Sequence, residues 1–266
     1  MVARLKPLIV ISLGWGVQSF ALSAMSALGI LPKVDYAIHA DTTHERQETY
    51  AFAARYTPWL EERGIKVVMM KAKSERLNPF YSPKKTSTYL PAYTTWPNGI
   101  PSGALVRQCT DEWKRVPIRR YLQAHRNGAS VEQWIGITLD ESPRMRNSDI
   151  KYITNRYPFI QDFSPPMRRW QVVKWLQDNN LEVPVKSSCV FCPYHDKATW
   201  REIKMSGNGD WEKALEVDRI IRHKRPNYVC YLTRHLKPLD EIDFESQQDK
   251  GQLELWDEEC TGYCFL

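Results

Sequence analysis

The apolar run Leu8–Ile11 (LIVI) leads without a break into SLGWGVQS (Ser12–Ser19) and then into FALSAMSAL. The run predicts a short buried strand and the small-residue stretch a tight loop. The Ala-, Leu- and Met-containing segment predicts a helix over Val17–Leu28. The same alternation continues downstream. VDYAIHA (Val34–Ala40) reads as a second strand. ETYAFAARYTPWLEER (Glu48–Arg63) reads as an amphipathic helix closed by Gly64, with Pro58 a point for a kink. IKVVMMKA reads as a third strand, the stretch from Asp111 toward Asn127 as a helix, and VEQWIGIT (Val131–Thr138) as a further strand. Strands that alternate with helices pack as a mostly parallel sheet with helices on both faces, a doubly wound α/β fold. In such a fold ligands sit beyond the carboxyl ends of the strands. Three segments fall there: the opening loop, ADTTHE after the second strand, and TLDESPRMR after the late strand.

Residues 74–106 hold five prolines and show no period, which predicts a long functional loop. The character changes near Phe163. Beyond it come the helix MRRWQVVKWLQDN, the tight loop SSCVFCPYH, the helices WREIKMS and DWEKALEVDRIIRHK, and a tail that reads as irregular from Asn227. The expected organisation is therefore an α/β domain over 1–163 and a helical, cysteine-containing region over 164–266.

Composition narrows the classes. Hydrophobic residues make up 42% and charged residues 26%, an ordinary globular balance. No apolar run approaches the roughly 20 residues that a membrane span needs, and the N-terminus lacks a secretory pattern. A cytosolic protein without a membrane partner is expected. The net charge of +6 suits a polyanionic partner, either a nucleotide or a nucleic acid. Ten Trp and thirteen Tyr predict aromatic contact surfaces. In a cytosolic chain, six cysteines point to metal or redox roles rather than disulfides.

The opening loop fits neither common phosphate signature. A Walker loop has a Lys after its last Gly, and a dinucleotide loop has a third Gly. Here the pattern is G-x-G-x-x-S: Gly14, Gly16 and Ser19, the last at the start of the predicted helix. Glycines let backbone amides approach an anion, and a hydroxyl at a helix N-terminus adds a donor where the dipole favours negative charge. A tight strand–helix turn without a ligand has the same sequence. Asp41, at the end of the second strand, can bind a ribose hydroxyl or a magnesium ion, or cap the next helix.

Taken together, these segments resemble the adenine nucleotide alpha hydrolase superfamily, the PP-loop ATP pyrophosphatases, and within it the phosphoadenosine phosphosulfate (PAPS) reductase-like family. That family's loop S-G-G-x-D-S lies over Gly14, Trp15, Gly16, Val17, Gln18 and Ser19, with Gln18 in place of Asp. ADTTHERQETYAF resembles A-D-T-G-x-E-x-P-x-T-Y-x-F through Asp41, Thr42, Glu45, Thr49, Tyr50 and Phe52. RQCTDEWKRVP resembles R-x-C-x-x-x-x-K-x-x-P through Arg107, Cys109, Lys114 and Pro117. GITLDESPRMR resembles the strand-end segment that sets an Arg on phosphate or sulfate. The resemblance implies a HUP/PP-loop sheet that binds ATP or PAPS, with a magnesium ion as a further candidate. It implies nucleotide contacts from Ser12, Gly14, Gly16, Val17, Gln18, Ser19, Asp41, Glu45, Arg107 and Arg146, and catalytic roles for Asp41, Lys114 and Arg144.

The resemblance also bears on the cysteines. Cys189-Val-Phe-Cys192 followed by His195 has metal-ligand spacing. In the resembled family a Cys before the helix and a later C-x-x-C bind a [4Fe-4S] cluster, so Cys109, Cys189, Cys192 and His195 are the candidate ligands. Three thiolates would leave one iron open, as the resemblance to cluster-dependent RNA thiolases implies. A zinc site and metal-free thiols are the alternatives. In the tail, Glu258, Glu259, Cys260 and Cys264 are similar to the mobile E-C-G-x-H of the reductases, which makes Cys260 a candidate nucleophile, although neighbouring carboxylates raise a thiol's pKa. Basic groups at Lys114, Arg115, Arg119, Arg120 and from Arg219 to Arg225 suit phosphate, single-stranded nucleic acid or plain solvent.

The expected function is activation of an acceptor by adenylation with pyrophosphate release, for sulfur transfer, with nucleic acid among the acceptors. Reduction of PAPS or adenylyl sulfate to sulfite is the alternative, and a non-catalytic nucleotide-binding module the third. A sulfur-donor protein or thioredoxin would be the protein partner, and a homodimer is admitted.

Overall fold

The computed structural model describes residues 5–73, 77–78 and 88–245. The chain forms two compact units that interleave in sequence. The first takes the N-terminal part through Asp41, Glu48–Lys71 and Lys114–Ser187; the second takes Thr42–Gln47, Ala72–Trp113 and the chain from Ser188 onward. The composition change near Phe163 falls inside the first unit.

In the first unit, five parallel strands form a sheet: β1 (Leu8–Ser12), β2 (Tyr36–Asp41), β3 (Lys66–Lys71), β6 (Val131–Trp134) and β7 (Ile153–Arg156), in the order β3-β2-β1-β6-β7. Strand side chains alternate between faces, and the cores sort accordingly. Ile11, Ala37 and Trp134 join one cluster with α1 (Val17–Ala27), α2 (Gln47–Glu62) and α5 (Arg169–Asp178). Val10, Ile38 and Val131 join another with α3 (Val116–His125). Helices on both faces confirm the doubly wound α/β architecture and explain why LIVI is apolar at every position. α2 runs through Pro58; proline has no N–H to donate to Ala54 there.

Two local expectations are corrected and one strand is added. The strand expected over Val131–Thr138 ends at Trp134, and the chain turns through Gly136 into a 3-10 turn at Leu139–Arg144. β7 has four residues, too few for a period to declare it. The helix expected from Asp111 opens with a π-helical turn, Thr110–Arg115, before α3. A short helix α4 (Pro158–Gln161) precedes α5.

The second unit holds an antiparallel sheet in the order β5-β4-β8, from β4 (Tyr93–Thr95), β5 (Pro101–Ala104) and β8 (Val229–Tyr231), with α6 (Lys197–Met205) and α7 (Asp210–Ile221). Its core gathers Trp113, Phe191, Trp200, Ile203, Cys230, Leu232 and Phe244. The stretches expected to be irregular thus contain strands. Residues 93–104 form a hairpin closed by the Trp96 N–H donating to the Ile100 carbonyl at 2.8 Å. The start of the tail is held by a buried carboxylate: Asp218 accepts from the backbone N–H groups of Leu232 (3.4 Å) and Leu239 (3.1 Å) and pairs with Arg222.

Candidate functional site

β1 lies between β2 and β6, so connections leave its two sides in opposite directions, and its carboxyl end is the switch point at which open α/β sheets place ligands. The glycine loop occupies that place. Gly16 is the N-cap of α1 and supplies no side-chain cap, so the first-turn N–H groups receive none from it. Ser19 folds back into the loop: its Oγ accepts from the Gly14 N–H at 3.1 Å and donates to the Gly16 carbonyl at 3.3 Å. Between them Trp15 has φ +60°, the left-handed region that favours glycine. Its ring is buried and meets His39 and Phe52 edge-on.

Two hydroxyls to which sequence reasoning gave no role belong to the same unit. The Ser187 Oγ is buried without a hydrogen-bond partner among the described residues, 3.4 Å from where a β-carbon on Gly16 would stand. Thr138, at the turn after β6, is fully buried and its hydroxyl is likewise without a partner. Buried donors are nearly always paired; the Trp15 indole nitrogen and the Thr49 hydroxyl of the same unit are likewise without a partner among the described residues. Both lie at the edge of segments singled out for other residues, Thr138 in GITLDESPRMR and Ser187 at the start of SSCVFCPYH, and the fold alone brings Ser187 to Gly16.

The other predicted residues of this unit are placed as follows. The Ser12 hydroxyl accepts from the Gln133 side chain at 2.6 Å. The Gln18 amide bridges two charges: it donates to Glu141 at 2.9 Å and accepts from Arg169 at 3.2 Å. Glu141 in turn pairs with Arg144. An aspartate at position 18 would face Glu141 directly, which gives a physical reason for the amide. Asp41 is buried at the end of β2, accepts from the Tyr50 hydroxyl at 2.8 Å and pairs with Lys71 at 3.1 Å. Arg146 donates to the Pro143 and Met145 carbonyls of its own turn. Lys114 lies in the π-helical turn, and Val17 is buried as the first residue of α1.

Glu45, Arg107, Cys109, Cys189, Cys192 and His195 all belong to the second unit. Thr43 has φ +63°, rare for a β-branched residue. The segment around it is tied to the C-x-x-C loop: Glu45 bridges to Cys189, the Val190 N–H donates to the His44 carbonyl at 2.8 Å, and the Thr42 hydroxyl lies 3.4 Å from the Cys189 Sγ. A turn follows, in which the Cys192 N–H donates to the Cys189 carbonyl and the His195 Nε2 lies 2.9 Å from that same oxygen. Asp196 then caps α6 by accepting from the Thr199 N–H. The Arg107 guanidinium sits 5.4 Å over the Tyr194 ring. Burial pushes the Tyr194 phenol up from its ordinary value; Arg107 opposes the shift, while Tyr93, Cys192 and Cys109 add to it.

Among the described residues, no three His, Cys, Asp or Glu side chains converge to hold a metal ion. The four candidate ligands, Cys109, Cys189, Cys192 and His195, share the second unit. Cys260 and Cys264, with Glu258 and Glu259, lie outside the described residues.

Cys230 was not singled out by any motif. It is fully buried, and burial pushes its thiol up from 9.0 to about 11. Only thiolate alkylates. In native protein near pH 8, Cys230 is expected to react with iodoacetamide about 100-fold more slowly than in the urea-unfolded chain. Equal rates by peptide mass spectrometry would contradict the burial argument.

No protein-family model matches the chain, and no curated protein matches it in sequence. Among solved structures the chain is similar to a phosphoadenylyl-sulfate (PAPS) reductase from Candida auris, determined as a phosphate complex. The likeness covers 67% of this chain and 76% of that one, at 13% identity and a TM-score of 0.46.

Proposed function

We propose that the first unit binds the phosphates of an adenine nucleotide at the loop Leu13–Ser19, and that the protein is an enzyme that activates an acceptor by adenylation. One observation carries the phosphate reading. A glycine loop at the switch point of a parallel sheet enters α1 beside the buried, partnerless Ser187 hydroxyl. Backbone amides at a helix start and a buried hydroxyl are donors in want of an acceptor, and phosphate oxygens supply acceptors only. The adenine and sulfur-transfer parts rest on the sequence resemblance.

The chemistry then runs in two balanced steps. An acceptor oxygen forms a bond to the α-phosphorus as the bond to the bridging oxygen breaks, and pyrophosphate leaves with that electron pair. A sulfide nucleophile next forms a bond to the activated carbon as the carbon–oxygen bond to AMP breaks, and AMP leaves with that electron pair. Ser187 and the α1 amides hold the departing pyrophosphate. Arg169 and Lys71 are cations of the same unit that offset its charge. Iron, sulfide and zinc analysis of anaerobically purified protein decides whether a metal accompanies the thiols.

Calorimetric titration tests the reading. The wild-type protein is expected to bind pyrophosphate and ATP, and Ser187→Ala to weaken both about tenfold or more, the loss of one charge-assisted hydrogen bond. PAPS, titrated alongside, decides between nucleotides. No binding of any of the three would sink the phosphate reading. Pyrophosphate release that never depends on an added acceptor would sink the adenylation.

A further inference from the structure

The second unit carries a charge distribution that the nucleotide reading does not use. From Arg219 to Lys237 the chain has six Lys and Arg, two His and no carboxylate. Arg219 and Arg222 are paired, with Asp240 and Asp218. Lys224, Arg225, Arg234 and Lys237 have no ion-pair partner among the described residues, and Arg234 and Lys237 are exposed. These cations flank β8 on both sides, two before it and two after it.

At one end of the same sheet stands an aromatic pair. Thr95 of β4 lies opposite Val229 of β8, so Trp96 and Tyr228 each sit one step beyond that pairing. Their rings meet at 4.9 Å with 39° between planes, and Trp96 is 44% exposed. Ile100, across the hairpin turn, is 57% exposed. A scattered exposed apolar residue needs no explanation. An exposed indole in tilted contact with a tyrosine, at the start of a strand whose flanking segments carry four cations without ion-pair partners among the described residues, does, because water solvates the cations well but gains nothing from the rings.

We propose that this edge of the β5-β4-β8 sheet binds single-stranded nucleic acid, with Trp96 and Tyr228 as a stacking platform for bases and Lys224, Arg225, Arg234 and Lys237 on the phosphates. Every base offers a π face and every linkage a negative charge, which matches the two kinds of group present. A duplex keeps its base faces stacked inside and leaves the platform unused. As an assignment of the acceptor class this rests on the adenylation reading; as a binding site it does not.

Fluorescence anisotropy of the full chain with labelled oligothymidine, the matching duplex, heparin and polyglutamate tests it. The single strand is expected to bind more tightly than the duplex, with affinity falling as salt rises. Lys224→Gln combined with Arg234→Gln and Lys237→Gln is expected to flatten the logarithmic salt slope by about 2, at roughly 0.7 per lost phosphate contact. Trp96→Leu is expected to weaken oligothymidine about tenfold and leave heparin unchanged. The proposal is overturned by no strand binding at low salt, by an unchanged slope in the triple variant, by equal loss for heparin and oligothymidine in Trp96→Leu, or by polyglutamate binding as tightly. Pyrophosphate titration of the same variants separates the two readings. Lost pyrophosphate binding in the wild type strikes the nucleotide site, whereas lost strand binding strikes this one.

Discussion

Trp15→Ala is expected to lower the unfolding free energy by about 3–5 kcal/mol, the range for removing a buried aromatic side chain. Trp15 is 1% exposed and its ring packs on His39 and Phe52, in the cluster that joins β1, α1 and α2. The residue also holds φ +60°, which costs a non-glycine residue about 1–2 kcal/mol. The two effects oppose each other, and the larger one wins: burial of the indole outweighs the strain of the backbone that presents it. Trp15→Gly separates them. It loses the same ring but sheds the strain, offset in part by the entropy of a freer unfolded chain. Glycine is therefore expected to be more stable than alanine here by up to about 1 kcal/mol. Urea unfolding of the three proteins makes the comparison. Alanine equal to or better than glycine would show that the left-handed backbone carries no cost. A loss under about 1 kcal/mol for both would show that the ring is not a core element.

This residue also shows what a sequence can reveal and where it stops. Trp15 stands where the resembled loop has glycine, and the backbone keeps the conformation a glycine would take. The strand–loop–helix order was legible because LIVI and FALSAMSAL are apolar runs set on either side of a small-residue loop, and the helices expected on both faces of the sheet are there. β4, β7 and β8 were not legible. At three or four residues a strand has no measurable period, and each is held by its neighbours in the sheet rather than by its own pattern. The same limit applies to the site. Gly14, Gly16, Ser19 and Asp41 could be named from spacing. Ser187 and Lys71 could not, because only tertiary structure brings them to Gly16 and Asp41. Gln18 shows a departure from motif explained by a partner far away in sequence: Glu141 requires a donor at that place.

The sharpest contrast lies between two glycines. A β-carbon on Gly16, the motif residue, would meet Ser187 at 3.4 Å, ordinary van der Waals contact, and its φ of −88° suits any residue. A β-carbon on Gly136, the first residue of GITLDESPRMR, would stand 2.9 Å from the Gln18 carbonyl carbon, the Gln18 β-carbon and the Ser19 nitrogen. Those atoms are mostly backbone and belong to the first turn of α1, so no side-chain rotation relieves the clash. Gly136→Ala is expected to push that turn away from β6, to cost about 1–3 kcal/mol of stability as overpacking does, and to reduce pyrophosphate affinity by more than tenfold, since the amides that would meet the phosphate move with it. Gly16→Ala is expected to fold with wild-type stability to within about 1 kcal/mol, while its methyl covers the Ser187 hydroxyl and weakens binding. Thermal unfolding and calorimetric titration of both variants read the two quantities separately. If Gly136→Ala binds pyrophosphate as well as wild type, the start of α1 is not the phosphate seat. If Gly16→Ala binds as well as wild type, Ser187 is not part of it.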